Sequence, residues 1–314
     1  MAVLSLCLRR GKERFVMKDV RRRMLMADLG MFGAALLWGT GFVAMKAAVE
    51  GIPPFFLVGV RFLISALCLS PFLFFRSWKK EDLRGGLVVG FFLFLGFFFQ
   101  TTGLQYTTSS KQAFFTATYV VFTPLLVWGL RRIFPGVRVF LAAGLCFCGV
   151  TLLTFGGSLL GGMNSGDWLS LIGALFFAGH LIAIEHYAPR QDVLLLVFFQ
   201  VLVAGVISIC CAGLFETWPE SIPLSAWAGL GYAVVFSTLV AFLLQNWGQK
   251  YTPSSHAALI LGLESLFGAM AGVLLLHEAF TIPMVFGGLL ILGGVVICEL
   301  GPVAIPLGKV NSRS

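Results

Sequence analysis

Glu264 and Arg61 stand inside long apolar runs of the sequence. An ionisable side chain at the centre of such a run costs about 2.5–3.5 kcal/mol on insertion scales unless it finds a partner, a water-filled cavity or a route to an interface. Glu264 lies ten residues past Ser254, about 15 Å along a helix, too deep for a short side chain to snorkel. Its chemistry would be to bind and release a proton or to hold an ammonium group, and its structural alternative is a hydrogen bond between helices. Arg61, seven residues beyond Pro54, sits about 10 Å into its run. It can hold a carboxylate bidentately, or link helices or snorkel. His180 is a second candidate for proton movement, with a helix-to-helix hydrogen bond as the plainer reading. Gln100 and Gln245 either ring a small molecule or join helices. Trp38, Thr40, Phe42 and Tyr119 complete the candidate binding set, and Phe114 and Trp247 are further candidates for an aromatic wall.

The elements that must carry these residues follow from composition. The 314 residues are 58% hydrophobic and 11% charged, with a mean hydropathy of +0.94; soluble domains carry about 25% charged residues. Lipid admits helices that satisfy their own backbone, each about 20 residues long. Ten segments qualify, near 29–49, 55–75, 85–105, 112–130, 139–156, 168–187, 193–215, 226–248, 255–276 and 282–300. With the N-terminus inside, 19 of the 22 Lys and Arg fall on inside segments and one, Lys111, outside, so both termini are expected in the cytoplasm. That distribution accounts for the +8 charge and argues against a nucleic-acid partner. Residues 1–23 place an apolar run before Arg9-Arg10, the reverse of an export signal. The seven cysteines read as small buried hydrophobes with no metal spacing.

An internal repeat organises the spans. Shifted by 145 residues, Phe91–Ala113 matches Phe236–Ala258 at nine of 23 positions, among them Gln100/Gln245, Gly103/Gly248 and Thr107/Thr252. Offset 139 pairs Asp28 with Asp167, and Lys46 with Glu185. Such self-similarity marks two copies. Each holds five spans, and an odd number inverts the second copy, an arrangement found in secondary transporters whose site lies at the midplane between repeats. Inversion puts Lys46 near the outside, where it is expected to snorkel, and Glu185 with His186 near the inside as an interfacial group. Glycines of the first span (33, 39, 41), the fifth (144, 149) and the tenth (287, 288, 293, 294) are expected at close helix contacts.

Trp38-Gly39-Thr40-Gly41-Phe42, Val60-Arg61-Phe62, Ser109-Ser110 with Thr123-Pro124, and Ser254-Ser255 through Glu264 to Leu276-His277-Glu278 together resemble the drug/metabolite transporter superfamily, EamA type, over about residues 28–300. The resemblance implies a bacterial inner-membrane permease that exports amino acids or other small metabolites through a central cavity. Ser265 stands where the family often has proline after the glutamate, which removes the residue that would kink the ninth span.

The expected fold is therefore all-α integral membrane, ten helices in two inverted five-helix repeats. Its parts are a basic arm (1–27), a first EamA-like repeat (28–156), a Gly-rich linker (157–166), a second repeat (167–300) and a tail (301–314). The expected activity is proton-linked export by alternating access, with substrate binding at Trp38, Thr40, Phe42, Arg61, Gln100, Tyr119, Gln245 and Glu264 and proton coupling at Glu264 and His180. No cofactor or metal is expected. Expected partners are a small-molecule substrate and the lipid bilayer, and a homodimer is compatible. The alternatives are a lipid-headgroup flippase and an intramembrane enzyme using His180, Glu185, His186 and Glu264. No Walker-type loop is present for direct ATP hydrolysis.

Overall fold

The computed structural model describes residues 2–49, 51–73, 75–107, 109–132, 134–155, 163–217, 220–275, 277 and 280–300. The tail, most of the linker, Ile133, Leu276 and Glu278 lie outside the described residues, as do the side chains of the basic arm up to residue 21, of Ser109 and Ser110, and of Lys46. Among the described residues ten helical segments are long and apolar enough to cross a membrane: Arg22–Val49, Pro54–Leu73, Lys80–Gly103, Phe114–Arg131, Val137–Thr154, Ser165–Tyr187, Val193–Phe215, Leu224–Gln249, Ser254–Leu275 and Ile282–Glu299. They are called the first to tenth spans. The arm continues the first span as one helix, Ala2–Val49.

The two copies are related by contacts as well as by sequence. Thr107 donates to Asp167 (2.5 Å) and Thr252 to Asp28 (3.0 Å); the threonines are 145 apart and the aspartates 139, so one hydrogen bond is made twice, at opposite ends of the bundle. Gly103 meets the Gly166 carbonyl as Gly248 meets that of Ala27, beside the same two bonds. The non-glycine residues described with positive φ are Arg132 and His277, both at +55° and 145 apart, ending the fourth and ninth spans alike. Left-handed backbone is unfavourable for residues with a Cβ, so its recurrence at equivalent positions marks a shared turn.

Close contact between the copies depends on small residues, since lipid supplies no hydrophobic drive between helices. A Cβ on Gly149 would lie 2.6 Å from the Gly287 carbonyl, and one on Gly294 2.7 Å from that of Ala142. These contacts hold the fifth and tenth spans together as another repeat-related pair. Gly39 and Gly41 are likewise packed, against Phe267 with the Glu264 carbonyl and against Ser237. Gly144 and Gly293 correct the expectation, because nothing lies within 4 Å of a Cβ built on either. The cysteines correct it too. Cys146 and Cys298 are buried, but Cys68, Cys148 and Cys210 are exposed on the bundle, where small apolar side chains suit lipid as well as a core.

The basic end is closed by a latch. Glu185, with its side chain 9% exposed, pairs with Arg131 at 2.5 Å and accepts the Ser254 amide at 3.1 Å, and Gln249 donates to the Leu181 carbonyl. Glu185 is thus a tie between the fourth, sixth and ninth spans rather than a free interfacial group. Glu185→Ala should lower thermal stability by about 1–3 kcal/mol through the orphaned amide and cation, measured by unfolding of the purified protein.

Candidate functional site

Two of the ten spans are discontinuous where the copies meet. The fourth is interrupted at Thr118, between helices Ser109–Ala117 and Tyr119–Arg131; the ninth at Gly262 and Leu263, between Ser254–Leu261 and Glu264–Leu275. Thr118 and Leu263 are 145 apart, so the breaks are equivalent. The missing proline after Glu264 therefore does not keep the ninth span straight. Gly262 permits the approach instead, since a Cβ there would lie 2.8 Å from Val120 of the fourth span.

Each break leaves a polar residue at the start of the following half-helix, Tyr119 in one copy and Glu264 in the other. The Tyr119 hydroxyl donates to Glu264 Oε1 at 3.0 Å across 145 residues. Equivalent positions of two inverted copies can touch only on the pseudo-twofold axis that relates them. Cys146 Sγ and the Ile291 carbonyl, also 145 apart, meet at 3.6 Å and mark a second point on it. Glu264 is 7% exposed and Tyr119 5%.

Both face a cavity of about 160 Å³. Its walls repeat like the frame: Trp38 packs edge-on against Phe242 (5.4 Å) and Phe177 against Phe97 (5.3 Å), with 38/177 separated by 139 and 97/242 by 145. Gln100 and Gln245 both line it. The Gln100 side chain donates to Thr116 Oγ1 at 3.1 Å and its main-chain carbonyl accepts from Gln112, whereas Oε1 of the buried Gln245 has no hydrogen-bond partner among the described residues. The lining reaches Val49, Thr101 and Gln112, at the span ends opposite the basic loops, while the latch closes the other end.

The polar groups do not repeat. His180 bonds Gln200 at 3.0 Å, joining the sixth and seventh spans, and its equivalent is Gly41. Arg61 is 3% exposed, and its equivalent is Gln200. Its Nε donates to Thr238 Oγ1 (2.5 Å) and Nη2 to the Ser237 carbonyl (3.0 Å). The acceptors lie in a π-helical stretch, Val235–Val240. Its wider turn leaves the Ser237 carbonyl open to two side-chain donors, Arg61 and Trp38 Nε1 at 2.8 Å. The sequence has no cue for this stretch, and so none for the seat of Arg61.

Of the residues singled out from sequence, Trp38, Phe42, Arg61, Gln100, Tyr119, His180, Gln245 and Glu264 come together on one cavity. Thr40 does not line it. Its hydroxyl bonds the Leu36 carbonyl (2.8 Å) and Tyr232 (2.6 Å), because the helical turn carries it away from its neighbours Gly39 and Gly41. Phe114 packs against Phe147 and Trp247 against Tyr251, both outside the cavity lining. Glu185 and His186 lie at the basic end with Arg131 and Arg190, so the four residues of the enzyme alternative are not assembled. Tyr119→Phe, which removes the donor but keeps the ring, should slow transport severalfold without loss of fold, measured as initial rate beside thermal stability.

The comparisons agree with this architecture. The profile of the EamA-like transporter family matches residues 25–155 and 164–299, one match per repeat. A protein of Archaeoglobus fulgidus named an uncharacterized transporter is 38% identical over 278 residues, covering 88% of this chain and 87% of its own. A Chlamydia muridarum protein named S-adenosylmethionine/S-adenosylhomocysteine transporter is 25% identical, covering 85% of this chain and 90% of its own. The uncharacterized inner membrane transporter YedA of Escherichia coli is 27% identical over 72% of this chain and 77% of its own. One crystal structure shares the fold at a TM-score of 0.74 and 19% identity, covering 87% of this chain and 96% of its own.

Proposed function

This chain belongs to the EamA-like transporter family, and on that premise we propose that it exports small metabolites or amphipathic drugs across the cytoplasmic membrane by alternating access, driven by protons through Glu264. The observation that carries the reading is the Tyr119–Glu264 hydrogen bond. It puts the one carboxyl among the described residues of the cavity lining on the axis about which the copies exchange, at the breaks in two discontinuous spans. A carboxyl there is reached from whichever end is open, as alternating access requires. The relative named for S-adenosylmethionine supports a small-metabolite substrate. With the basic loops inside, as the distribution of Lys and Arg argues, the cavity opens outward, and the Glu185 latch closes the cytoplasmic side.

Reconstitution into proteoliposomes tests this. Amino acids and other small metabolites should move faster when a pH gradient is imposed. Equal rates with and without the gradient would remove the proton from the mechanism, and no movement of any small metabolite would remove transport itself.

A further inference from the structure

Among the described residues the guanidinium of Arg61 has no counter-ion. No Asp or Glu of that set comes within ion-pair distance of it, although it is 3% exposed in a span where a lone charge is costly. One edge is committed, Nε and one Nη2 hydrogen to the π-helical stretch. The other edge meets only the Met45 thioether, at 3.8 Å from Nη1, a weak acceptor. Phe62 and Phe97 cover its surroundings with ring centres 5.2 Å from the guanidinium carbon. A planar donor that lines the cavity is thus fixed on one edge, flanked by rings, and left with only a thioether on the other.

We propose that Arg61 receives the anionic group of an organic monoanion, a carboxylate carried on a flat apolar body, and that amines and neutral molecules of the same shape are not recognised. The flat body lies between the Trp38–Phe242 and Phe97–Phe177 pairs, where stacking and edge contacts favour aromatic rings. Indolyl and aryl carboxylates have both features. Only the first copy carries the cation, because Gln200 stands at the equivalent position, so the anion has one seat and one orientation. The net charge of +8 says nothing of this, since nearly all of it lies on loops; the uncompensated guanidinium does. The inference rests on the cavity being the transport site.

Titration calorimetry of the purified full chain with indole-3-acetate, indole-3-acetamide and tryptamine tests it. The acid should bind at least tenfold tighter than the amide or the amine, and Arg61→Lys, which keeps the charge but loses the planar fork, should reduce that preference at least tenfold. Amide or amine binding as tight as the acid, no binding of any of the three, or an unchanged preference in Arg61→Lys overturns the proposal. Should that variant fail to fold, the three-probe comparison on the unaltered protein decides alone. Counterflow in proteoliposomes separates the two readings. Tryptamine moving while the acid is ignored keeps transport and sinks the anion site; acid binding with no counterflow of any probe keeps the site and sinks transport.

Discussion

Glu264→Gln is expected to lower gradient-driven transport at least a hundredfold while leaving the protein folded. Glutamine matches glutamate in shape and can still accept the Tyr119 hydroxyl at the 3.0 Å contact, so the junction of the two discontinuous spans stays intact. What it cannot do is release a proton. If the carboxyl couples the proton to the change of access, the driven flux collapses, whereas exchange of labelled for unlabelled substrate, which needs no net proton movement, continues. The measurements are initial uptake with an imposed pH gradient, counterflow without one, and thermal stability of both proteins. Full gradient-driven uptake by the variant would take Glu264 out of the mechanism; loss of counterflow together with a fall in stability would make it a structural tie instead.

The second large effect is on the frame. Gly149→Leu should destabilise the protein by more than about 3 kcal/mol, at the upper end of what overpacking costs. Its Cβ would fall 2.6 Å from the Gly287 carbonyl and 2.9 Å from the Ile291 amide. Both are backbone atoms of the tenth span, so no side-chain rotation relieves the clash and the two spans must part. Gly144→Leu, five residues earlier on the same helix, meets nothing within 4 Å and should behave like the parent. Thermal unfolding and size-exclusion profiles of the two variants, side by side, check the pair. Equal behaviour would mean that the fifth and tenth spans do not approach as described.

The contrast between those glycines shows where sequence reading stopped. Both looked like contact positions, because a glycine in an apolar span signals a close approach without saying on which side of the helix. Thr40 repeats the lesson among polar residues: it lies between residues of the interface, yet its own side chain turns to Tyr232. Arg61 extends it. Its depth was readable from Pro54, but its acceptors come from a π-helical stretch 176 residues away, and no periodicity announces that stretch.

By itself the sequence determined the all-helical membrane class, the ten spans, the doubling into inverted halves and the family. Each rests on signals that survive without coordinates: run length against bilayer thickness, self-similarity at offsets of 145 and 139, and, for the family, the resemblance carried by the motifs around Trp38, Arg61 and Glu264. The tertiary structure decided which face of each span looks inward, that Tyr119 and Glu264 meet on the symmetry axis, and that among the described residues Gln245 Oε1 lacks a hydrogen-bond partner and Arg61 a counter-ion. The reason is physical. In water, a helix shows its inner face by the contrast between apolar and polar sides. In lipid both sides are apolar, so rotation about the helix axis is set by glycine contacts and a few long-range hydrogen bonds, which exist only once the spans are packed.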